Sequence, residues 1–116
     1  MKPLVLAGFL LLSTTALADT ETRCGWISNP TPSNYWIDDA NGRWIIGTQG
    51  GYQAEGVENL AYPEDDQYVD TNGNYGYFCG CITASTSRHE TKVVSIRRSK
   101  AKRLKDCLKD PKLDKP

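Results

Sequence analysis

The chemistry most plainly written in this chain belongs to four cysteines, Cys24, Cys79, Cys81 and Cys107. An even number of thiols in a short exported chain reads as a disulfide framework. A Cys79–Cys81 bridge would close a very short, strained ring and ranks last. The other two connectivities both tie the C-x-C pair to Cys24 and Cys107, and the sequence leaves both open. Either one joins the start, the middle and the end of the fold. The rival reading is a redox or metal site, but the spacing is C-x-C rather than C-x-x-C and the only histidine is His89.

Other constellations point less far. Asp38/Asp39 and Asp65/Asp66 are paired carboxylates. Neighbours on a strand face opposite ways, so Asp38 and Asp39 do not line one cleft. Two-carboxylate glycosidase chemistry needs a groove between the pair. His89 falls in a polar turn and reads as a surface residue rather than a base. The chain has no GxSxG or HExxH motif. Asp70-Thr71-Asn72-Gly73-Asn74 begins like a calcium loop, but Tyr75 stands where such a loop wants Gly and Cys81 where it wants a bidentate Glu. A hairpin turn explains those residues more simply. The glycine-rich stretch Gln49–Gly56 lacks both phosphate-loop spacing and a nearby lysine, so it reads as a tight turn. The expectation is a protein that is not an enzyme, with no cofactor and no metal.

Binding chemistry is better represented. Residues 97–105 hold six basic side chains in nine: Arg97, Arg98, Lys100, Lys102, Arg103 and Lys105. Such a run can meet phosphates or an acidic polysaccharide. Its bland alternative is a solvated strand end and helix face. Charge is segregated along the chain: residues 19–72 have ten acidic and two basic side chains, and residues 73–116 have four acidic and eleven basic. The halves either neutralise each other or form separate patches. Trp26, Tyr35, Trp36, Trp44 and Tyr52 are the candidate aromatic binding surface, although some must be core because aliphatics are few.

These groups need a scaffold. The chain has 116 residues, a formal net charge of zero and 39% hydrophobic side chains. That excludes a large multi-domain enzyme, a long solenoid and a nucleic-acid binder defined by bulk charge. Lys2, the apolar run Leu4–Leu12 and Ala16-Leu17-Ala18 read as a signal peptide over residues 1–18. The run is too short to span a bilayer, which takes about 20 apolar residues. The expectation is export to the periplasm or beyond, with no transmembrane span in the mature chain. Residues 19–116 then form one domain with only 15 Leu, Ile, Val and Phe together. So thin an aliphatic core calls for disulfide staples.

The elements read as mainly β: a small antiparallel sheet of hairpins with a short C-terminal helix, stapled by two disulfides. Cys24–Ile27 forms a short strand, and Pro30 and Pro32 stiffen the loop that follows. Tyr35–Gly47 is a hairpin turning at Asn41-Gly42, with Asp39 opposite Trp44 and Ile37 opposite Ile46. One face carries Ile37, Asp39, Trp44 and Ile46, and the other Trp36, Asp38, Arg43 and Ile45. Residues 55–66 read as an exposed acidic loop. Gln67–Ala84 is a second hairpin turning at Asn72-Gly73. On its outgoing strand Tyr75, Tyr77, Cys79, Cys81 and Thr83 alternate with Gly76, Phe78, Gly80, Ile82 and Ala84. Lys92–Ser99 is a last strand. Ser99 would cap a helix presenting Leu104, Cys107 and Leu108 on one face.

Arg23-Cys24-Gly25-Trp26, Asn29-Pro30-Thr31-Pro32, Gln49-Gly50-Gly51-Tyr52-Gln53-Ala54 and Tyr75-Gly76-Tyr77-x-Cys79-x-Cys81 occur in that order. From Arg23 to about Cys107 the chain resembles a bacterial domain-of-unknown-function family, number four-zero-eight-seven. The resemblance implies a small exported bacterial protein and supplies no catalytic residues. Residues and resemblance together lead to the expectation of a non-enzymatic exported binding module. Its partner would be a protein or an envelope glycan, and a hydrolase inhibitor is one specific form. Association with the envelope or a polyanion through the basic run is the alternative, and a small enzyme is the third.

Overall fold

The computed structural model describes residues 20–116. The signal peptide expected over residues 1–18 lies outside the described residues. The strands are β1 (Thr20–Thr31), β2 (Asn34–Asp39), β3 (Gly42–Gly47), β4 (Tyr68–Asn72), β5 (Tyr75–Ser87) and β6 (Lys92–Ala101). The helix α1 spans Leu104–Leu108, and single 3-10 turns lie at Val57–Asn59 and Asp65–Gln67.

The sheet runs β1-β2-β3-β6-β5-β4, and β1 also pairs with β5. The second pairing closes β1, β2, β3, β6 and β5 into a partly open barrel. Four of its seams are antiparallel. The fifth, β3 with β6, is parallel: Ile45 lies beside Lys92, and Ile45 N–H donates to Thr91 C=O at 2.9 Å. The sheet is therefore mixed rather than purely antiparallel, because the chain crosses the barrel end between Gly47 and Tyr68 before returning. With β4 set aside, this connectivity is that of the five-stranded Greek-key barrels of OB type.

The barrel interior follows from the period-two alternation of its strands. Ile27, Ile37, Trp44, Ile46, Phe78, Ile82, Ala84, Val93 and Ile96 are buried there in one cluster with Ala54 and Leu60 from the crossing segment. Each large side chain fully removed from water contributes about 1.5–3 kcal/mol. On β5 the two alternating sets separate as expected, and the inward one is Gly76, Phe78, Gly80, Ile82 and Ala84. At Gly25 a Cβ would collide with the Asp38 backbone, so only glycine permits the close approach of β1 to the end of β2.

The first hairpin differs from its expected register. Asp39 pairs with Gly42 and Ile37 with Trp44, so the turn is Ala40-Asn41 rather than Asn41-Gly42. The Asp39 carboxylate sets it: Oδ1 accepts from Asn41 N–H at 2.8 Å and from Trp44 Nε1–H at 3.0 Å. A shift of two positions keeps every residue on its expected face. Ile37, Trp44 and Ile46 are buried.

Ser99 does not cap the helix. It belongs to β6, where its Oγ donates to Asn59 C=O at 2.7 Å and accepts from Ala61 N–H. Gln67 instead accepts the Leu104 N–H at 2.8 Å through its side-chain oxygen. The acidic segment is also less open than expected, since it holds the buried Leu60.

The disulfides are Cys24–Cys81 and Cys79–Cys107. Cys24 and Cys81 face each other across β1 and β5. The second bridge fixes α1 over the outside of the barrel, where Trp26, Cys79 and Cys107 form a separate buried cluster flanked by Tyr77, Leu104 and Leu113. No described helix is long and apolar enough to cross a membrane.

Candidate functional site

The five aromatics singled out in the sequence do not form one surface. Trp26 and Trp44 are core, only 1% and 6% exposed. Tyr35, Trp36 and Tyr52 are half-buried at separate places. Three of the five rings are covered by cations. Arg23 lies 3.8 Å from the centroid of Trp44, Arg43 lies 4.3 Å from that of Trp36, and Lys92 lies 4.6 Å from that of Tyr52. The Tyr52 hydroxyl is also spent, donating to Val93 C=O at 2.6 Å. Burial, and then the Glu90 charge, raise its pKa.

The exposed aromatic is one that sequence reasoning missed. Tyr62 is half exposed at the barrel end. Its ring packs on Phe78 at 5.1 Å between centroids and beside Tyr68 at 6.4 Å. Its hydroxyl donates to the Tyr35 hydroxyl at 3.5 Å. Burial foremost, and then the bond to Tyr35, push the Tyr62 pKa well above the usual phenol value. That of Tyr68 is raised too, by burial and by the Asp70 carboxylate.

Three hollows meet at this ring. A groove of about 840 Å³ runs between the acidic segment and the β6–α1 turn, with Tyr62, Pro63, Leu104 and Leu108 as its apolar part. Glu64 and Asp66 stand on one side, and Lys102, Arg103 and Lys105 on the other. Leu108 is, like Tyr62, an exposed large apolar side chain. A recess of about 590 Å³ lies on the other side of Tyr62 and is lined by Asn29, Asp65, Tyr68, Asp70 and Asn74. A smaller hollow joins Tyr62 to Tyr35, Gln53 and Leu60.

Two hydrogen-bonded links bring this site together. Ser99 holds the Asn59–Ala61 backbone against β6, and Gln67 holds the start of α1. Residues far apart in the chain thereby become opposite walls. A tyrosine followed by proline inside an acidic loop was the available sequence signal, because a loop gives such a ring little to pack under.

The basic run divides. Lys102, Arg103 and Lys105 reach the groove. Lys100 and Arg98 lie opposite Cys81 and Thr83 on the outer barrel face, and Arg97 is the extra residue of a bulge. None of the six makes an ion pair within 4 Å among the described residues. The ion pairs that do form stay within each half of the chain: Arg23 with Glu21 and Asp39, Arg43 with Asp38, Lys92 with Glu90, and Lys109 with Asp106. The two halves therefore do not neutralise each other by direct pairing. Among the described residues no three His, Cys, Asp or Glu side chains group as metal ligands.

Fold and site together define a small disulfide-clamped β-barrel with an aromatic and charged surface at one end. A family described as a protein of unknown function (DUF4087) matches residues 18–114, and the chain belongs to it. No curated protein and no solved structure matches the chain.

Proposed function

We propose that the protein is an exported, non-enzymatic binding module that holds a protein or an envelope glycan at the Tyr62 surface. The observation that carries this reading is the half-exposed Tyr62 ring at the meeting point of three hollows, between charged walls that form no ion pairs among the described residues. Most large apolar side chains here are buried, and an exposed ring on a rigid support is the common anchor of a binding surface. Two disulfides suit an oxidising compartment, which supports export to the periplasm or the medium. A hydrolase inhibitor is one specific form, since the surface is an open groove rather than a deep pocket.

The test is calorimetric titration of residues 19–116 against peptidoglycan fragments, lipopolysaccharide and lysozyme, with Tyr62→Ala alongside. At least one of the three binds the wild type and is lost in the variant. Silence from all three, or binding that Tyr62→Ala leaves intact, contradicts the reading.

A second reading is polyanion association through the basic run. What favours it is that Arg97, Arg98, Lys100, Lys102, Arg103 and Lys105 all lack ion-pair partners among the described residues. Binding to anionic vesicles that falls steeply with salt, and is lost when Arg97, Arg98, Lys100 and Lys102 become Gln, would establish it.

A further inference from the structure

We infer that the hollow beneath α1 is a site for a small acyl group, an apolar body of a few carbons whose carbonyl oxygen accepts a hydrogen bond from Trp26 Nε1–H. The site stands apart from the reading of the Tyr62 surface, although Leu104 and Leu108 belong to the walls of both the groove and this hollow.

The hollow follows from the outer face of the barrel. Trp26 on β1 and Cys79 on β5 are register partners on that face. The Cys79–Cys107 bridge sets α1 over them, and Leu104 and Leu108 share one side of the helix. A space of about 120 Å³ remains between helix and sheet, walled by Trp26, Val69, Tyr77, Leu104, Leu108 and Pro116. These side chains are apolar or aromatic. An apolar cavity of about 150 Å³ takes up a molecule the size of benzene, so this one has room for roughly five or six heavy atoms.

A second, independent observation says what the occupant carries. Trp26 is 1% exposed, and its Nε1–H is buried with no hydrogen-bond partner among the described residues. The groups packed on the indole are the Cys79–Cys107 bridge, Leu104, Leu113 and the Tyr77 ring, which meets it edge to face at 5.3 Å between centroids. Trp44, the indole inside the barrel, shows the satisfied case, since its Nε1–H donates to Asp39 Oδ1 at 3.0 Å. Indole nitrogen donates and does not accept, and a buried donor left unpaired costs free energy. Water is a poor substitute, because a buried water needs about two to four polar partners and this wall is mostly apolar. An acyl group meets both demands, with an oxygen for the N–H and carbons for the wall. Lys115 is the one charged side chain on the wall and has no ion-pair partner within 4 Å among the described residues. It disfavours a cationic occupant and offers a second donor to a carboxylate.

The test titrates residues 19–116, which hold every described element, with isobutyramide and isobutyrate, read at the indole N–H resonances. Isobutylammonium chloride has the same branched body with a donor in place of the acceptor and is the control. Both acyl probes shift the Trp26 indole N–H saturably, and the control does not. Trp26→Phe keeps an aromatic ring and removes the donor, so it weakens isobutyramide by about fivefold to tenfold, read by the Val69 and Tyr77 amide shifts. Leu108→Phe narrows the hollow from a half-exposed position outside the core and also weakens both probes, which keeps the test decisive where Trp26→Phe fails to fold. Lys115→Met weakens isobutyrate alone. Preference for isobutyrate marks a free short-chain acid as the source of the acyl group, and equal or tighter binding of the amide marks an acyl group carried in amide linkage on a larger molecule. An unmoved Trp26 indole N–H, or an equal shift with isobutylammonium, overturns the inference. So does wild-type binding by the folded Leu108→Phe variant, or a water seated on the indole N–H that neither acyl probe displaces. If the acyl probes bind while Tyr62→Ala changes nothing at the Tyr62 surface, the inference stands and the broader reading fails.

Discussion

The guanidinium of Arg23 lies over the Trp44 ring, 3.8 Å from its centroid, while its Nη1 donates to Asp39 Oδ2 at 2.9 Å. Both side chains of the ion pair are nearly shielded from water, 4% and 7% exposed. Asp39 also sets the β2–β3 turn and accepts from Trp44 Nε1–H. One carboxylate thus joins strand β1, the turn and the core indole.

Removing that carboxylate leaves the buried Arg23 guanidinium with Glu21, an exposed side chain, as its remaining ion-pair partner. Asp39→Ala is expected to lower the unfolding free energy by about 3–5 kcal/mol, the cost typical of breaking a buried pair from one side. Arg23→Met combined with Asp39→Asn keeps the packing against Trp44 and removes both charges, so it costs less. Urea denaturation of both variants checks the order. Equal losses would mean that the pair matters for its packing alone.

The two disulfides are expected to contribute unequally and in different ways. Cys24–Cys81 spans 57 residues and Cys79–Cys107 spans 28. Chain-entropy arguments give about 4.2 and about 3.6 kcal/mol. Replacing Cys79 and Cys107 with Ser also frees α1 from its covalent anchor and uncovers Trp26. The expected readout is a red shift in tryptophan fluorescence with the barrel still folded. Replacing Cys24 and Cys81 lowers Tm further, without that shift in the native state.

Gly42 has φ of 124° and nothing within 4 Å of a Cβ position. Gly42→Val therefore clashes with no neighbour and is penalised only through its backbone. It is expected to cost about 1–3 kcal/mol. Gly42→Ala, whose single methyl crowds the backbone less than a β-branched side chain, should cost less. Equal midpoints for the two variants in chemical denaturation would contradict this account of the turn.

Alkali should unfold the protein through its tyrosines. Burial raises the pKa values of Tyr62, Tyr68 and Tyr52 above the ordinary 10.0. A raised phenol favours the fold while it stays protonated. Its contribution is complete below about pH 10, where unfolded tyrosines begin to ionise, and is lost as pH climbs toward the folded value. Stability should be flat from neutral to about pH 9.5 and then fall. Tyr62→Phe should flatten that fall, as followed by phenolate absorbance together with circular dichroism.

The strands were legible because their alternation is strict. Gly76, Phe78, Gly80, Ile82 and Ala84 leave one inward face for β5, and Ile37, Trp44 and Ile46 keep their face even though their cross-strand pairing shifts by two residues. The parallel β3–β6 seam was not legible, because sequence order suggests hairpins and says nothing about which edges meet after a long crossing. The site was only half legible. Lys102, Arg103 and Lys105 were read as basic and Asp65/Asp66 as an acidic loop, but their approach depends on Ser99 and Gln67, whose hydrogen bonds follow no periodicity. That some aromatics must be core was legible from the scarcity of aliphatics, but which ones was not, because the burial of Trp26 beneath α1 and of Trp44 beneath Arg23 is a tertiary outcome.

The central claim is that the Tyr62 end of the barrel is where a partner sits. Hydrogen–deuterium exchange, with and without whichever of lysozyme, peptidoglycan fragments or lipopolysaccharide binds, tests it most directly. The account predicts protection confined to residues 60–70 and 101–108 together with Asn29. Protection instead on the outer face of β2 and β3, around Trp36 and Arg43, where OB-type barrels commonly take oligomeric ligands, would contradict it.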